Sequence, residues 1–157
     1  MRIQNSVVRL ILTVAAVSFL QFGCSKDKFT TKPQLSFKDV NSYNIPRGGL
    51  MIFNLELTDK EGDVSDSIFI KTVTANCPSS DLPDPLAYRI PEFPTSANIK
   101  AQMQIVYENG TNNTGNAIYN GNKCSKNDTT YFYFWMKDKG NHVSDTIRTD
   151  KPLVIQF

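Results

Sequence analysis

The sequence has only one histidine, His142, and it lacks the motifs of several common enzyme classes. A zinc hydrolase of the H-E-x-x-H type is excluded because that motif needs two histidines on one helix face. Neither a G-x-S-x-G elbow nor a G-x-x-x-x-G-K-[ST] phosphate loop occurs. No spacing pairs a nucleophile with a general base. We therefore expect a non-enzymatic protein, with a divergent hydrolase as one alternative.

The chain also lacks an excess of charge of either sign, with 17 Lys and Arg residues against 15 Asp and Glu residues. Proteins that bind nucleic acid usually show a clear basic excess, because phosphate contacts dominate their affinity. The sequence gives no reason to expect a nucleic-acid partner.

Long apolar runs are missing as well, and the longest, Leu10 to Leu20, is too short to span a bilayer, which needs about 20 residues. Two arginines flank the start of this run, and no acid precedes Asp27. These features predict an export signal over residues 1–23. The run ends in Gly23-Cys24, which resembles the lipobox of bacterial lipoproteins, although Gln21 stands where that motif usually has leucine. The resemblance implies that Cys24 carries the lipid; an ordinary secretory signal is the alternative, but no small-x-small cleavage pair lies nearby.

The rest of the chain has no convincing helical period and instead alternates apolar and polar residues in short runs. Residues 24–33 are polar and suit a tether. Strands are predicted for residues 34–37, 50–58, 67–74, 98–108, 130–137 and 152–157. Turn-forming sequences separate these runs. The pattern predicts an all-β fold, a single β-sandwich domain over residues 34–157.

One segment recurs in the chain. "LTDKEGDVSDSI" at residues 57–68 aligns without a gap with "MKDKGNHVSDTI" at residues 136–147. In an immunoglobulin-like Greek-key sandwich the B–C and F–G strand pairs are related by approximate symmetry, and their turns lie at the same end. We therefore assign residues 50–58, 67–74 and 130–137 to strands B, C and F, and the segment after Val143 to strand G.

Only two cysteines remain after Cys24, namely Cys77 and Cys124. In an oxidising compartment such a pair is more often bridged than free. Cys77 follows strand C and Cys124 precedes strand F, so both are expected at the end of the sandwich opposite the repeated turns. A zinc site is the alternative, but two thiols and one distant histidine make a poor ligand set.

Alternation in strand F sorts its side chains into two faces. In strand B the residues predicted to face inward are Phe53, Leu55 and Leu57. Their counterparts in strand F, which should also face inward, are Phe132, Phe134 and Met136. The outward residues are then Tyr131, Tyr133 and Trp135. These aromatic residues could form a platform for a sugar, a peptide or a partner surface. The alternative, which we favour, is cross-strand packing against side chains such as Phe69 and Lys71.

The repeated turns are acidic and raise the question of calcium. An EF-hand is excluded, because counting from Asp59 puts glycine at position 4 and Ile70 at position 12. A looser site could form if the two turns meet. Its candidate ligands are Asp59, Glu61, Asp63, Asp66, Asp138, Asn141 and Asp145. The favoured interpretation is that these residues form turns through bonds to nearby backbone amides, and no other cofactor is expected.

A family resemblance rests on "FGCSKD" at residues 22–27, the acidic stretch from Phe53 to Asp63, and the late stretch from Phe134 to Asn141. These features resemble the small immunoglobulin-like lipoproteins of Bacteroidetes. The resemblance implies a sandwich domain anchored by lipid in the outer membrane, facing either the periplasm or the exterior. The proteins of this group are mostly uncharacterised, and our own expectation is a binding or assembly role with an envelope protein or a glycan as partner.

Overall fold

The computed structural model describes residues 29–78, 85–94, 96–110, 114–119, 123 and 125–157. These ranges contain ten strands: β1 Gln34–Val40, β2 Asn44–Ile45, β3 Leu50–Asp59, β4 Ser67–Thr74, β5 Leu86–Arg89, β6 Ile99–Asn109, β7 Ala117–Tyr119, β8 Asp128–Lys137, β9 Ile147–Arg148 and β10 Leu153–Ile155. No α-helix occurs in them, and hence none that could cross a bilayer. The predicted signal, Cys24 and Cys124 lie outside the described residues.

The first sheet has the strand order β1-β3-β6-β7. Its strand β3 pairs antiparallel with β6 along its whole length and with β1 from Phe53 to Thr58. β7 joins β6 in parallel at the edge. Strict alternation of buried and half-buried residues along β3 matches the apolar-polar alternation of its sequence, as expected for a strand with one face on the core.

The second sheet has the strand order β2-β10-β8-β4-β5, and β9 also pairs with β8. β8 is antiparallel to β4, to β9 and to β10, whereas β2 is parallel to β10. The predicted strands therefore all form. The short strands β2, β5 and β7 were not predicted, because two to four residues are too few for a period of two to be visible. β9 lies in the segment after Val143 that the sequence assigned to strand G.

The inner faces of the two sheets pack together, as in a β-sandwich. The ring of Phe53 on β3 lies 4.7 Å from that of Phe132 and 5.3 Å from that of Phe134, both on β8. All six residues predicted to face inward on strands B and F are buried. Burial of each large apolar side chain contributes about 1.5–3 kcal/mol, so the packing of β3 against β8 is a main source of stability.

The turn after β3 and the turn after β8 meet at one end of the sandwich, as predicted from their similarity. The backbone N–H of Lys139 donates to the carbonyl of Asp63 across the two turns, at 2.9 Å. We call residues 59–66 and 138–145 together the acidic pole. The start of β8, the end of β4 and the chain's last residues lie at the opposite pole.

Candidate metal centre

Two equivalent aspartates close the turns of the acidic pole. Asp59 ends β3 and Asp138 follows β8, and both are fully buried. Asp59 Oδ2 accepts the N–H of Gly62 at 2.6 Å, and Asp138 Oδ1 accepts the N–H of His142 at 2.8 Å. One oxygen of each carboxylate therefore has the turn-forming role that the sequence suggested.

Gly62 allows the first turn to have this shape. Its φ is +77°, a backbone conformation that L side chains rarely adopt. A Cβ at this position would lie 2.4 Å from the carbonyl oxygen of Ser96. The glycine thus permits both the turn and its close contact with the segment before β6.

Three carboxylates converge at the acidic pole. Asp59, Asp63 and Asp138 each offer one ligand oxygen, and these oxygens lie within 4.8 Å of one another. Two oxygens of these residues, Asp59 Oδ1 and Asp63 Oδ1, are buried without a hydrogen-bond partner. Buried polar atoms are nearly always partnered, so two orphaned acceptors at one point indicate an incomplete site.

Electrostatics at this site disfavour the ionised form of Asp59. The pKa of its carboxyl is raised above the ordinary value of 3.8, chiefly because burial penalises the charge. The hydrogen bond from Gly62 opposes this shift, and the negative charges of Asp63, Glu61 and Asp138 add to it. Without a counter-ion, the three carboxylates repel one another in a desolvated place.

His142 lies beside the site, although the sequence analysis considered it only as a zinc ligand distant from the two cysteines and not as a partner of the acidic turns. Its Nδ1 is 3.0 Å from Asp138 Oδ2, so both oxygens of Asp138 already have one partner. This ring orients the carboxylate, in the manner of the outer partners that hold metal ligands in place. The signal in the sequence was the spacing of four residues from Asp138.

The other four predicted ligands have other roles. Glu61 accepts the hydroxyl of Thr31 at 3.0 Å. Asp66 pairs with Lys137 at 3.3 Å, and Asp145, which is 81% exposed, pairs with Lys32 at 2.6 Å. Asn141 has φ +65° and acts as a turn residue, its N–H donating to the carbonyl of Asp138. The structure thus brings together three of the seven predicted residues.

Two lysines near the three carboxylates are engaged with other acids. Lys137 pairs with Asp66, and Lys139 lies 3.3 Å from Glu92. Lys137 therefore balances one of the seven candidate residues, whereas the partner of Lys139 lies outside the two turns.

The predicted aromatic platform is part of cross-strand packing. Trp135 stacks on Phe69 of the neighbouring strand with ring centroids 5.6 Å apart and planes within 8°. The Arg148 guanidinium lies 4.6 Å from the centre of the Tyr131 ring. Tyr133 faces Lys71 across the β4–β8 ladder. These contacts favour the packing interpretation, because each of the three aromatic side chains already packs against a residue of a neighbouring strand.

Cys77 is buried just beyond β4. Its predicted partner, Cys124, lies outside the described residues, as does the predicted lipid-bearing Cys24. The bridge and the lipid therefore stay predictions.

An apolar cleft opens between β5 and β6. It is lined by Tyr88 and Arg89 on one side and by Met103 and Tyr107 on the other. No carboxylate is among its lining residues. It therefore lacks the paired acids that the hydrolase alternative would need.

Comparisons with known proteins give no relative from which a function could be transferred. The chain matches no protein-family model, no curated protein and no solved structure. A function must therefore be argued from the residues of this chain alone.

Proposed function

We propose that this chain is a lipid-anchored protein of the outer membrane whose single immunoglobulin-like domain is a non-enzymatic binding or assembly module. The strand order supports the immunoglobulin-like assignment: β1, β3 and β6 correspond to strands A, B and E, and β10, β8 and β4 to G, F and C. The parallel pairing of β2 with β10 suits a first strand that switches sheets. β7 departs from this pattern, because it pairs in parallel with β6.

The attachment of the N-terminal segment carries the proposal. Thr30 accepts the backbone N–H of Lys60 through its carbonyl at 3.1 Å. Thr31 donates to Glu61, and Lys32 pairs with Asp145, so three consecutive residues are fixed on the acidic pole. Five residues separate Thr30 from Cys24. The distance between the two Cα atoms is at most about 20 Å when this segment is fully extended.

A lipid on Cys24 would therefore hold the acidic pole next to the membrane surface. The opposite pole and the sheet edges would project away from the bilayer, where a partner could reach them. This arrangement suits a display or assembly role. The gathered carboxylates lie at the turns after β3 and β8 and not in the apolar cleft, which supports a non-enzymatic role, since fold alone argues neither way.

A carbohydrate-binding role is the second candidate. It is supported by the partial exposure of Tyr131, Tyr133 and Trp135 in one row on the outer face of the second sheet. Replacing Tyr133 and Trp135 with alanine and screening both proteins on a glycan array tests this candidate. Unchanged sugar retention would remove it.

Lipid attachment is tested by the Cys24→Ala variant with Ser25→Ala as the matched control. We expect the unmodified chain and the control to take up a labelled fatty acid and to sediment with outer membranes. The alanine variant at position 24 should lose the label and leave the membrane fraction. Membrane retention without the label in this variant would contradict the proposal.

The orientation is tested with fluorescent labels at two exposed positions, one at each pole. Val143 lies at the acidic pole and Phe157 at the opposite one, with exposures of 46% and 54%. In reconstituted vesicles, a quencher on the lipid headgroups should quench a label on Val143→Cys far more than one on Phe157→Cys. The reverse order would contradict the orientation. Cross-linking from the Phe157 side in envelope membranes would then capture the partner.

A further inference from the structure

We propose that Asp59, Asp63 and Asp138 bind one calcium ion that joins the turn after β3 to the turn after β8. This inference does not depend on the lipid anchor or on the role of the domain. It rests on the side chains of the acidic pole alone.

The orphaned oxygens are the observation that points to a ligand. Asp59 is fully buried, and its Oδ2 is bonded to Gly62 while its Oδ1 has no partner. Asp63 Oδ1 is buried and unpartnered at the same place. Leaving a buried charged acceptor unsatisfied costs more free energy than leaving a neutral one. A cation between the carboxylates would remove this cost and the repulsion among them.

The donor atoms favour calcium over other metal ions. All three groups are hard carboxylate oxygens, and the nearby Nδ1 of His142 is engaged with Asp138. Calcium binds oxygens at about 2.3–2.6 Å, so two of its ligand oxygens lie at most about 5 Å apart. The three carboxylate oxygens, which lie within 4.8 Å of one another, are compatible with this spacing. Magnesium is usually held by only one or two carboxylates and retains several waters. Water would complete the calcium shell.

The ion would add a link between two turns that are otherwise joined at this point by the hydrogen bond from Lys139 to Asp63. Asp59 and Asp63 come from one turn and Asp138 from the other. Because Glu61 and Asp145 of the same turns hold the N-terminal segment, calcium would also stiffen the base on which that segment lies.

The test is the thermal unfolding of the full chain in detergent, with EDTA or with CaCl2, together with calorimetric titration of the metal. When free calcium is about 100 times the dissociation constant, the midpoint should rise by roughly 5–10 °C. Magnesium at the same concentration should give a smaller rise. Sodium chloride at equal ionic strength serves as the control for screening.

Variants separate a bound ion from a general effect of salt. Asp63→Asn should abolish the calcium-dependent rise, and its midpoint in EDTA should equal or exceed that of the unmodified chain, because one repelling charge is gone. Glu61→Gln removes the same charge from the same turn and should retain the rise. No rise in the unmodified chain, an equal rise in Asp63→Asn, or an equal rise with sodium chloride would overturn the proposal.

Discussion

Asp59 and Asp138 each use a carboxylate oxygen to close a turn, and each also offers an oxygen to the cluster that they form with Asp63. The two interpretations of the acidic sequence, turn formation and metal binding, are therefore compatible in one side chain. The sequence analysis treated them as alternatives, because spacing along the chain does not show which group each of the two oxygens of a carboxylate contacts.

Ser65 and Ser144 are equivalent in the repeated turns and are both buried, but only one of them has a bonded side chain. Ser144 Oγ accepts the N–H of Met136 at 3.0 Å and donates to the carbonyl of Asp145 at 2.9 Å. For Ser65, the described part of the chain shows no side-chain hydrogen bond.

We expect Ser144→Ala to lower the free energy of unfolding by ~1–3 kcal/mol, because it leaves a buried N–H without a partner. Ser65→Ala is the matched control and should change stability by less than about 1 kcal/mol. Chemical denaturation of both variants measures the difference. Equal losses would show that the Ser144 hydroxyl has no special role.

At the scale of secondary structure, β8 shows how much alternation alone reveals. The sequence correctly assigned Phe132, Phe134 and Met136 to the core, because the period of two is unbroken over the strand. What covers the outer aromatic residues was not visible in β8 itself. Phe69 stacks on Trp135 because β4 is the neighbouring strand in a register that sets these two residues opposite each other.

A double-mutant cycle on Phe69 and Trp135 tests this packing. The single alanine variants and the double variant should give a coupling energy of ~0.5–1.5 kcal/mol, because stacked aromatic pairs contribute beyond their buried area. The measurement is the free energy of unfolding of all four proteins. Additive effects would mean that the rings do not stabilise each other, which would favour the platform interpretation.

At the scale of the whole molecule, the two poles of the sandwich carry different features. The acidic pole holds the N-terminal segment and the three carboxylates, while Cys77 and the start of β8 lie at the opposite end. The predicted bridge from Cys77 to Cys124 would close a long loop that contains β5, β6 and β7. Such a closure restricts the unfolded chain more than the folded one.

The bridge is tested in a Cys24→Ala background, which leaves one cysteine pair. Alkylation of the denatured, non-reduced protein should find no free thiol, and reduction should lower the free energy of unfolding by ~2–4 kcal/mol. Mass spectrometry and denaturation with and without reductant measure these two outcomes. Two free thiols in the exported protein would exclude the bridge.

The sequence by itself determined the longer strands, the inward faces of β3 and β8 and the meeting of the two similar turns, because each of these follows from local periodicity and repetition. It named more candidate ligands than the three that come together, and it did not place His142 beside Asp138. Both outcomes depend on where the side chains point in space. Only the tertiary structure separated Asp59, Asp63 and Asp138 from Glu61, Asp66, Asn141 and Asp145. The physical reason is the direction of the side chains: the first three bring their carboxylate oxygens together, while each of the others is bonded elsewhere.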